Sequence, residues 1–338
     1  MSGAPSKALV DPFGRTVRDL RISVTDRCNF RCTYCMPEEG MRWLDRSELL
    51  SFEEIERVAR VCVERFEFDG IRLTGGEPTV RAQLPALVKM LAGLQVPGTG
   101  QAVDLAMTTN GATLGLAAGE LRRAGLNRIN VSCDSLRPER FRQMARRDQL
   151  ARVLDGIDAA IGAGFAPVKI NVVMMRGVND HEAVDFATFG RERGVQPRFI
   201  EFMPLDADGG WTMDQVVPAD ETLAAIHAVY PLEPVPHGPE PATRYRYVDG
   251  GGEIGVIPSV TRPFCGDCDR VRITAEGKFR TCLFALDEHD LRAVVRNGGT
   301  DEDLAAAIER AVGTKWAGHH IGRVSFVRPP RSMSQIGG

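Results

Sequence analysis

Between residue 20 and about residue 204, short β-rich runs alternate with longer segments whose apolar residues recur at three- and four-residue steps. The β-rich runs fall at 20–24, 71–74, 104–108, 128–133, 168–174 and 198–203, and the helical ones at 52–66, 83–94, 114–124, 150–163 and 181–193. Ser51 followed by Glu54 makes a capping-box start for the first of these helices. Repeated βα units with right-handed crossovers build a parallel sheet, and six of them suffice for a partial, TIM-like (β/α)6 barrel. Barrels of this kind gather their functional groups at the C-terminal strand ends. The polar clusters of this half sit there: the loop after residue 24, Gly75-Gly76-Glu77-Pro78, Thr108-Thr109-Asn110-Gly111, Ser132-Cys133-Asp134-Ser135 and Glu201-Phe202-Met203-Pro204. An open doubly wound sheet obeys a similar rule and remains the alternative.

The pattern changes after residue 230. Five prolines between Pro231 and Pro241 mark a connection, 231–244, rather than an element. Beyond it, runs at 245–248 and 254–257 flank Asp249-Gly250-Gly251-Gly252, and runs at 271–274 and 279–283 flank Ala275-Glu276-Gly277-Lys278, which predicts two hairpins. Helices are expected near 288–296 and 301–312. The reading is therefore α/β: an N-terminal segment 1–18, a partial barrel 19–230, and a smaller C-terminal α+β domain 245–338.

Composition narrows the partners. The chain has 338 residues, 42 basic and 45 acidic side chains and a formal charge of -3. That balance gives no general pull toward nucleic acid or an anionic membrane, so an anionic ligand must be held by a local cluster. The first twenty residues carry Lys7, Asp11, Arg15, Arg18 and Asp19 with no apolar core, so neither a signal peptide nor a membrane anchor is expected and the protein is placed in the cytoplasm. Eight cysteines are present, and six of them form two tight triplets with ligand spacing. Cys62 and Cys133 lie in apolar runs and read as buried core thiols.

Cys28, Cys32 and Cys35 stand as C-x3-C-x2-C directly after the run at 20–24. Three close thiolates can hold three irons of a four-iron cluster and leave the fourth open to a substrate or cofactor. A zinc site borrowing a distant fourth ligand is the alternative. Cys265 and Cys268 form C-x2-C, and Cys282 follows after the second hairpin, which folds the spacing back on itself. Here zinc closed by His289 and an open-site iron–sulfur cluster are both compatible with the spacing.

The first triplet, with Tyr34 before its last cysteine, resembles the radical S-adenosylmethionine (SAM) enzymes. The resemblance implies that the open iron chelates SAM and that a reduced cluster cleaves it to a 5′-deoxyadenosyl radical, chemistry that belongs to the cofactor. Two triplets in one chain are similar to those of the molybdenum-cofactor biosynthesis protein A enzymes, the GTP 3′,8-cyclases. The likeness runs through Arg21-Ile22-Ser23-Val24-Thr25-Asp26-Arg27-Cys28, Ile71-Arg72-Leu73-Thr74-Gly75-Gly76-Glu77-Pro78, Thr108-Thr109-Asn110-Gly111, Lys169-Ile170-Asn171, Arg198-Phe199-Ile200-Glu201, Cys265-Gly266-Asp267-Cys268-Asp269-Arg270-Val271-Arg272 and the terminal Gly337-Gly338.

This resemblance implies two [4Fe-4S] clusters, one on Cys28, Cys32 and Cys35 and one on Cys265, Cys268 and Cys282, with Tyr34, Gly76, Ser132 and Met203 lining the SAM site. It implies GTP held near Arg21, Arg72, Thr108, Lys169, Arg198, Arg270 and Arg272, with its guanine on the second cluster. Arg270 and Arg272 alternate on one strand and so face the same side. Gly337 and Gly338 match a tail that reaches the catalytic centre. Gly70 departs from the pattern, standing where many relatives carry lysine. Implied partners are an external electron donor and a downstream cyclic pyranopterin monophosphate synthase, with assembly as a homodimer allowed. The competing readings are another two-cluster radical SAM enzyme acting on a peptide or nucleoside, and a zinc-stabilised binding module.

Overall fold

A computed structural model describes residues 6–236, 238 and 240–337. Two short strands open it, β1 (Leu9–Val10) and β2 (Thr16–Val17), paired antiparallel. Six strands then alternate with helices: β3 (Asp19–Ser23), α1 (Phe52–Phe66), β4 (Gly70–Thr74), α2 (Leu84–Ala92), β5 (Asp104–Thr109), α3 (Leu114–Ala124), β6 (Arg128–Ser132), α4 (Pro138–Ala145), α5 (Leu150–Gly162), β7 (Lys169–Met174), α6 (Ala183–Arg193) and β8 (Gln196–Glu201). After α7 (Ala219–His227) come β9 (Leu232–Pro234), β10 (Thr243–Tyr247), β11 (Glu253–Ile257), β12 (Arg270–Ile273), β13 (Lys278–Arg280) and β14 (His289–Asp290). The chain finishes on α8 (Leu291–Arg296), α9 (Asp301–Val312) and α10 (Met333–Ile336).

β3 to β8 lie side by side in sequence order, each parallel to the next, in a twelve-stranded sheet that makes this an α/β protein with a mostly parallel centre. Both expected hairpins form, and each extends that same sheet. β12 adds parallel to the outer edge of β3, and β11 adds parallel to the outer edge of β8. An exposed parallel edge carries a row of unpaired backbone groups, so covering both edges removes a cost as well as a pairing hazard.

The strands alternate in a way that decides where the site lies. In β4, Ile71 and Leu73 are buried in the apolar core while Arg72 and Thr74 line an interior cavity. β12 repeats the pattern, with Val271 and Ile273 in the core and Arg270 and Arg272 on the cavity side. The outer face therefore packs on helices through residues such as Ile55, Val58, Cys62 and Phe66 of α1, and the inner face stays polar. α1 starts on the expected reciprocal Ser51–Glu54 cap. Cys62 and Cys133 are buried in the core, as the sequence suggests. No helix among the described residues is long and apolar enough to cross a membrane.

Candidate active site

The inner face of the sheet encloses a cavity of about 670 Å³. Its wall includes all three cysteines of the first triplet, the four expected SAM contacts Tyr34, Gly76, Ser132 and Met203, and the expected nucleotide contacts Arg21, Arg72, Thr108, Lys169, Arg198, Arg270 and Arg272. Residues up to 250 positions apart in sequence are thus brought to one hollow.

The loop carrying the first triplet is fixed from three sides. Cys35 and Met36 both donate backbone N–H groups to the Cys32 carbonyl, a turn that holds Cys32 and Cys35 together. Arg31 and Thr33 donate to the carbonyls of Ala145 and Met144 at the end of α4, and Phe30 meets Phe141 of that helix edge-on. α4, which the periodicity of the sequence does not predict, is therefore a bracket for the cysteine loop. On the third side, a Cβ on Gly76 would lie 2.3 Å from the Arg27 carbonyl oxygen, and one on Gly75 would lie 2.6 Å from that of Thr25. The two glycines are needed because the cysteine loop itself packs on them. Glu77, almost fully buried, ties this turn to the next by accepting from Thr109 Oγ1 and the Asn110 N–H, each at 2.6 Å.

Burial dominates the chemistry of these thiols. It pushes Cys28 up to about 11 and Cys35 up to about 12, and lifts Cys32 well above the ordinary range. Metal binding at this triplet must therefore displace protons. Tyr34 donates to Asp134 at 2.6 Å, and the other carboxylate oxygen accepts from the Val173 N–H at 2.8 Å. Burial pushes Asp134 up to about 6 against those two hydrogen bonds.

The second triplet sits beside the cavity rather than in its wall. Cys265, Cys268 and Cys282 are all half-buried, and their neighbours Phe264, Arg270 and Leu283 line the hollow. The β12–β13 hairpin does bring Cys282 back towards Cys265 and Cys268, close enough for the three sulfurs to feel one another's charge. His289, the candidate fourth zinc ligand, lies opposite Phe279 in β14, and its Nε2 meets Thr314 Oγ1 at 3.3 Å. Among the described residues, no three Cys, His, Asp or Glu side chains close on one ion position, as structural zinc requires. Each thiolate of a cluster takes an iron of its own, so both triplets fit that group.

Between the triplets runs a basic ladder. Arg272, Arg21 and Arg72 lie in register on three adjacent strands, β12, β3 and β4. The Nε atoms of Arg21, Arg72 and Arg270 are buried without a hydrogen-bond partner among the described residues. Burial pulls Arg21 down to about 9 and Arg72 and Arg198 down to about 10, and it pulls Arg272 well below the ordinary range. Guanidinium groups stay protonated at neutral pH all the same, so these values measure electrostatic stress rather than lost charge. Lys169 is pulled down to about 8, by burial first and then by Arg198. Arg21 lies 3.8 Å from Asp19 and Lys169 3.9 Å from Glu240, whereas Arg72, Arg198, Arg270 and Arg272 have no carboxylate within ion-pair distance among the described residues, so the hollow holds a surplus of cations that suits a polyanion.

α10 brings Gly337 into this ladder. Its carbonyl accepts from Arg272 at 2.7 Å and from Thr74 Oγ1 at 3.3 Å, and its φ of +77° suits glycine. Gly338 lies outside the described residues. Gly70 stands on the cavity rim at the start of β4.

Sequence reasoning assigned no role to Asp134, Asn130 or Asn171, all of which line the cavity. Asn130 accepts from Arg72 at 3.1 Å once its amide is oriented to satisfy its neighbours, and the Asn171 side-chain oxygen is buried without a partner. Strand alternation was the available signal, since Lys169, Asn171 and Val173 share the inner face of β7.

The chain can now be set beside known proteins. The family described as Radical SAM superfamily matches residues 22–190, and Molybdenum Cofactor Synthesis C matches 195–321. Among solved structures, Streptococcus suis SuiB bound to S-adenosylmethionine has a similar fold, with a TM-score of 0.55 at 12% identity over 82% of this chain and 64% of that one. The GTP 3′,8-cyclase of Streptomyces coelicolor is 46% identical over 98% of this chain and 96% of its own length. That of Acidothermus cellulolyticus is 49% identical over 91% and 85%. With cysteine triplets, basic ladder and inserted tail carried on a sequence this close over nearly its whole length, the chain belongs to the GTP 3′,8-cyclase family.

Proposed function

We propose that the protein converts GTP to (8S)-3′,8-cyclo-7,8-dihydroguanosine 5′-triphosphate, a radical SAM lyase step in molybdenum cofactor biosynthesis. The observation that carries this reading is the arginine ladder, with Arg72 and Arg272 buried without a carboxylate partner among the described residues and Arg21 between them, lying between two cysteine triplets at one cavity. When bound, the clusters and SAM supply a reducing electron and a 5′-deoxyadenosyl radical that removes hydrogen from ribose C3′. The protein's own part is positioning.

Cys28, Cys32 and Cys35 would hold the first cluster, and Tyr34, Gly76, Ser132 and Met203 would line the SAM site. Cys265, Cys268 and Cys282 hold the second cluster, on which guanine rests. Arg21, Arg72, Lys169, Arg198, Arg270 and Arg272 take the triphosphate, with Thr108 beside it, because bidentate guanidinium contacts are strong where water is excluded. Fixing the phosphates at one end and the base at the other leaves C3′ facing the SAM side, where a misplacement of 1 Å costs about a hundredfold. Gly337, held by Arg272 and Thr74, closes the pocket over the reacting ribose.

The fold that serves this is a partial (β/α)6 barrel over 19–230, with 1–18 ahead of it, the proline-rich 231–244 after it, and a C-terminal α+β region over 245–338 that carries the second triplet. We place the enzyme in the cytoplasm, supplied by an external electron donor and delivering to a cyclic pyranopterin monophosphate synthase, with assembly as a homodimer allowed. Anaerobic incubation with reductant, SAM and GTP deuterated at C3′ tests the reaction. Label in 5′-deoxyadenosine together with a cyclised nucleotide is the expected result, and unlabelled 5′-deoxyadenosine without that product would defeat it.

A further inference from the structure

Two buried cations outside the cavity grip the second triplet through its backbone. Arg15, between β1 and β2, is 9% exposed, and its guanidinium donates to the carbonyl of Cys265 at 2.6 Å, to that of Ala317 at 2.9 Å and to that of Trp316. Asp11 accepts from its Nε at 2.5 Å and balances its charge. Lys315, in the turn after α9, is 4% exposed, and its Nζ donates to the carbonyls of Arg270 at 2.7 Å and Thr281 at 2.6 Å.

The positions of those carbonyls are the point. Cys265 is itself a ligand candidate, Arg270 follows Cys268 by two residues, and Thr281 directly precedes Cys282. Every limb of the triplet is therefore held by one of two cations. The strap that carries Lys315 also lies directly against the first cysteine, since a Cβ on Gly318 would come within 2.8 Å of Cys265 Cβ. Lys315 has no carboxylate within ion-pair distance among the described residues; the charges acting on it are Cys268 and Cys282 first, then Arg15 and Asp11, which are already paired with each other. A buried ammonium satisfied only by carbonyls carries an uncompensated charge, and three thiolates around a cluster carry the opposite one.

We propose that Arg15 and Lys315 are positioning residues for the second cluster, Arg15 setting the Cys265 limb and Lys315 both bracing the other two limbs and supplying the cluster's counter-charge. This rests on the reading of Cys265, Cys268 and Cys282 as cluster ligands. It gives 1–18 a task that no motif in the sequence announces.

The test uses full-length protein in which Cys28, Cys32 and Cys35 are all alanine, so that every iron bound reports the second site. After anaerobic reconstitution with iron and sulfide, this parent should hold about four irons per chain. A parent holding none would overturn the ligand reading itself, which keeps that failure separate from the one tested next. Adding Lys315→Met should cut occupancy at least ~fivefold and move the midpoint of the remaining cluster to more negative potential, because a positive neighbour favours the reduced, more anionic form. Lys315→Arg should restore the potential. Arg15→Lys keeps its charge but cannot reach three carbonyls, so it should lower occupancy while leaving the midpoint of the bound cluster unchanged. Circular dichroism of each metal-free variant checks that the fold is intact. Full occupancy with an unchanged midpoint in Lys315→Met overturns the counter-charge role, and full occupancy in Arg15→Lys overturns the bracing role. If Lys315→Met does not fold, Lys315→Gln, which keeps carbonyl contacts without the charge, takes its place with the same two readings.

Discussion

The two cysteine triplets differ in electrostatic environment, most clearly at Cys268. Around the first, burial lifts the thiols to about 11 and 12 at Cys28 and Cys35, and the nearest charged groups include Asp134 and Glu77. In the second, burial lifts Cys265 as well, but at Cys268 Arg270 and Lys315 outweigh burial and pull the thiol below its ordinary value. The difference follows from what each must face. The first triplet faces the carboxylates of Asp134 and Glu77, whereas Cys268 stands two residues before Arg270 and near Lys315, whose positive charges favour its thiolate.

If the triplets divide the labour in this way, removing each should have a different signature. The largest effect is expected from Cys32→Ala, because two thiolates cannot hold an open-site cluster. Formation of 5′-deoxyadenosine should fall to background, and turnover at the unmodified rate would break the assignment. Next is Cys268→Ala, for which cyclisation should fall by more than ~100-fold while SAM is still cleaved without coupling to product. Equal loss of both activities, read by following 5′-deoxyadenosine and cyclised nucleotide together, would erase the distinction between the sites.

The basic ladder sharpens the comparison in a third experiment. Arg72→Ala removes a buried cation without a carboxylate partner, so GTP should bind about ten- to a hundredfold more weakly while guanosine changes by less than ~threefold. The same substitution should leave the unliganded protein as stable or more stable in thermal unfolding, since it relieves repulsion that only a bound polyanion offsets. A clear drop in melting temperature would mean that Arg72 serves the fold instead. The smallest effect concerns Lys169, whose value is pulled from 10.5 to about 8. Its ammonium is present below that value and is lost as pH rises through it, so GTP affinity should decline by up to about tenfold per pH unit above pH 8. Lys169→Met should bind weakly at every pH, with that decline absent, as titration calorimetry between pH 7 and 9 would reveal.

The central βα alternation was legible because its helices carry wide apolar stripes. The segments expected at 52–66, 114–124 and 301–312 coincide with α1, α3 and α9. α4 was missed because Pro138–Ala145 is only two turns long and rich in arginine. The two hairpins were readable from their turns, but their attachment to β3 and β8 was not. Pairing of Arg272 with Arg21 and of Gly255 with Arg198 joins distant stretches and leaves no local trace in either strand. At the site, cysteine spacing announced both triplets, while Arg15 and Lys315 stayed hidden because each acts on carbonyl oxygens, which every residue has. Gly75 and Gly76 were found as a motif, yet their reason emerged only with the loop that packs on them.

The seating of β12 against β3 sets an order of events during synthesis. β3 and the first triplet leave the ribosome early, but the outer edge of β3 finds its partner only when Arg270–Ile273 has followed. With the β11–β8 pairing also late, the β3–β8 sheet must persist as an intermediate with both edges bare, in which the basic ladder lacks the rung at Arg272. Non-local closure of this kind is slow and leaves the unfinished sheet open to association with other chains. Expression yield should then depend on temperature and chaperone supply, and a fragment ending before β11 should aggregate rather than behave as an independent SAM-binding barrel.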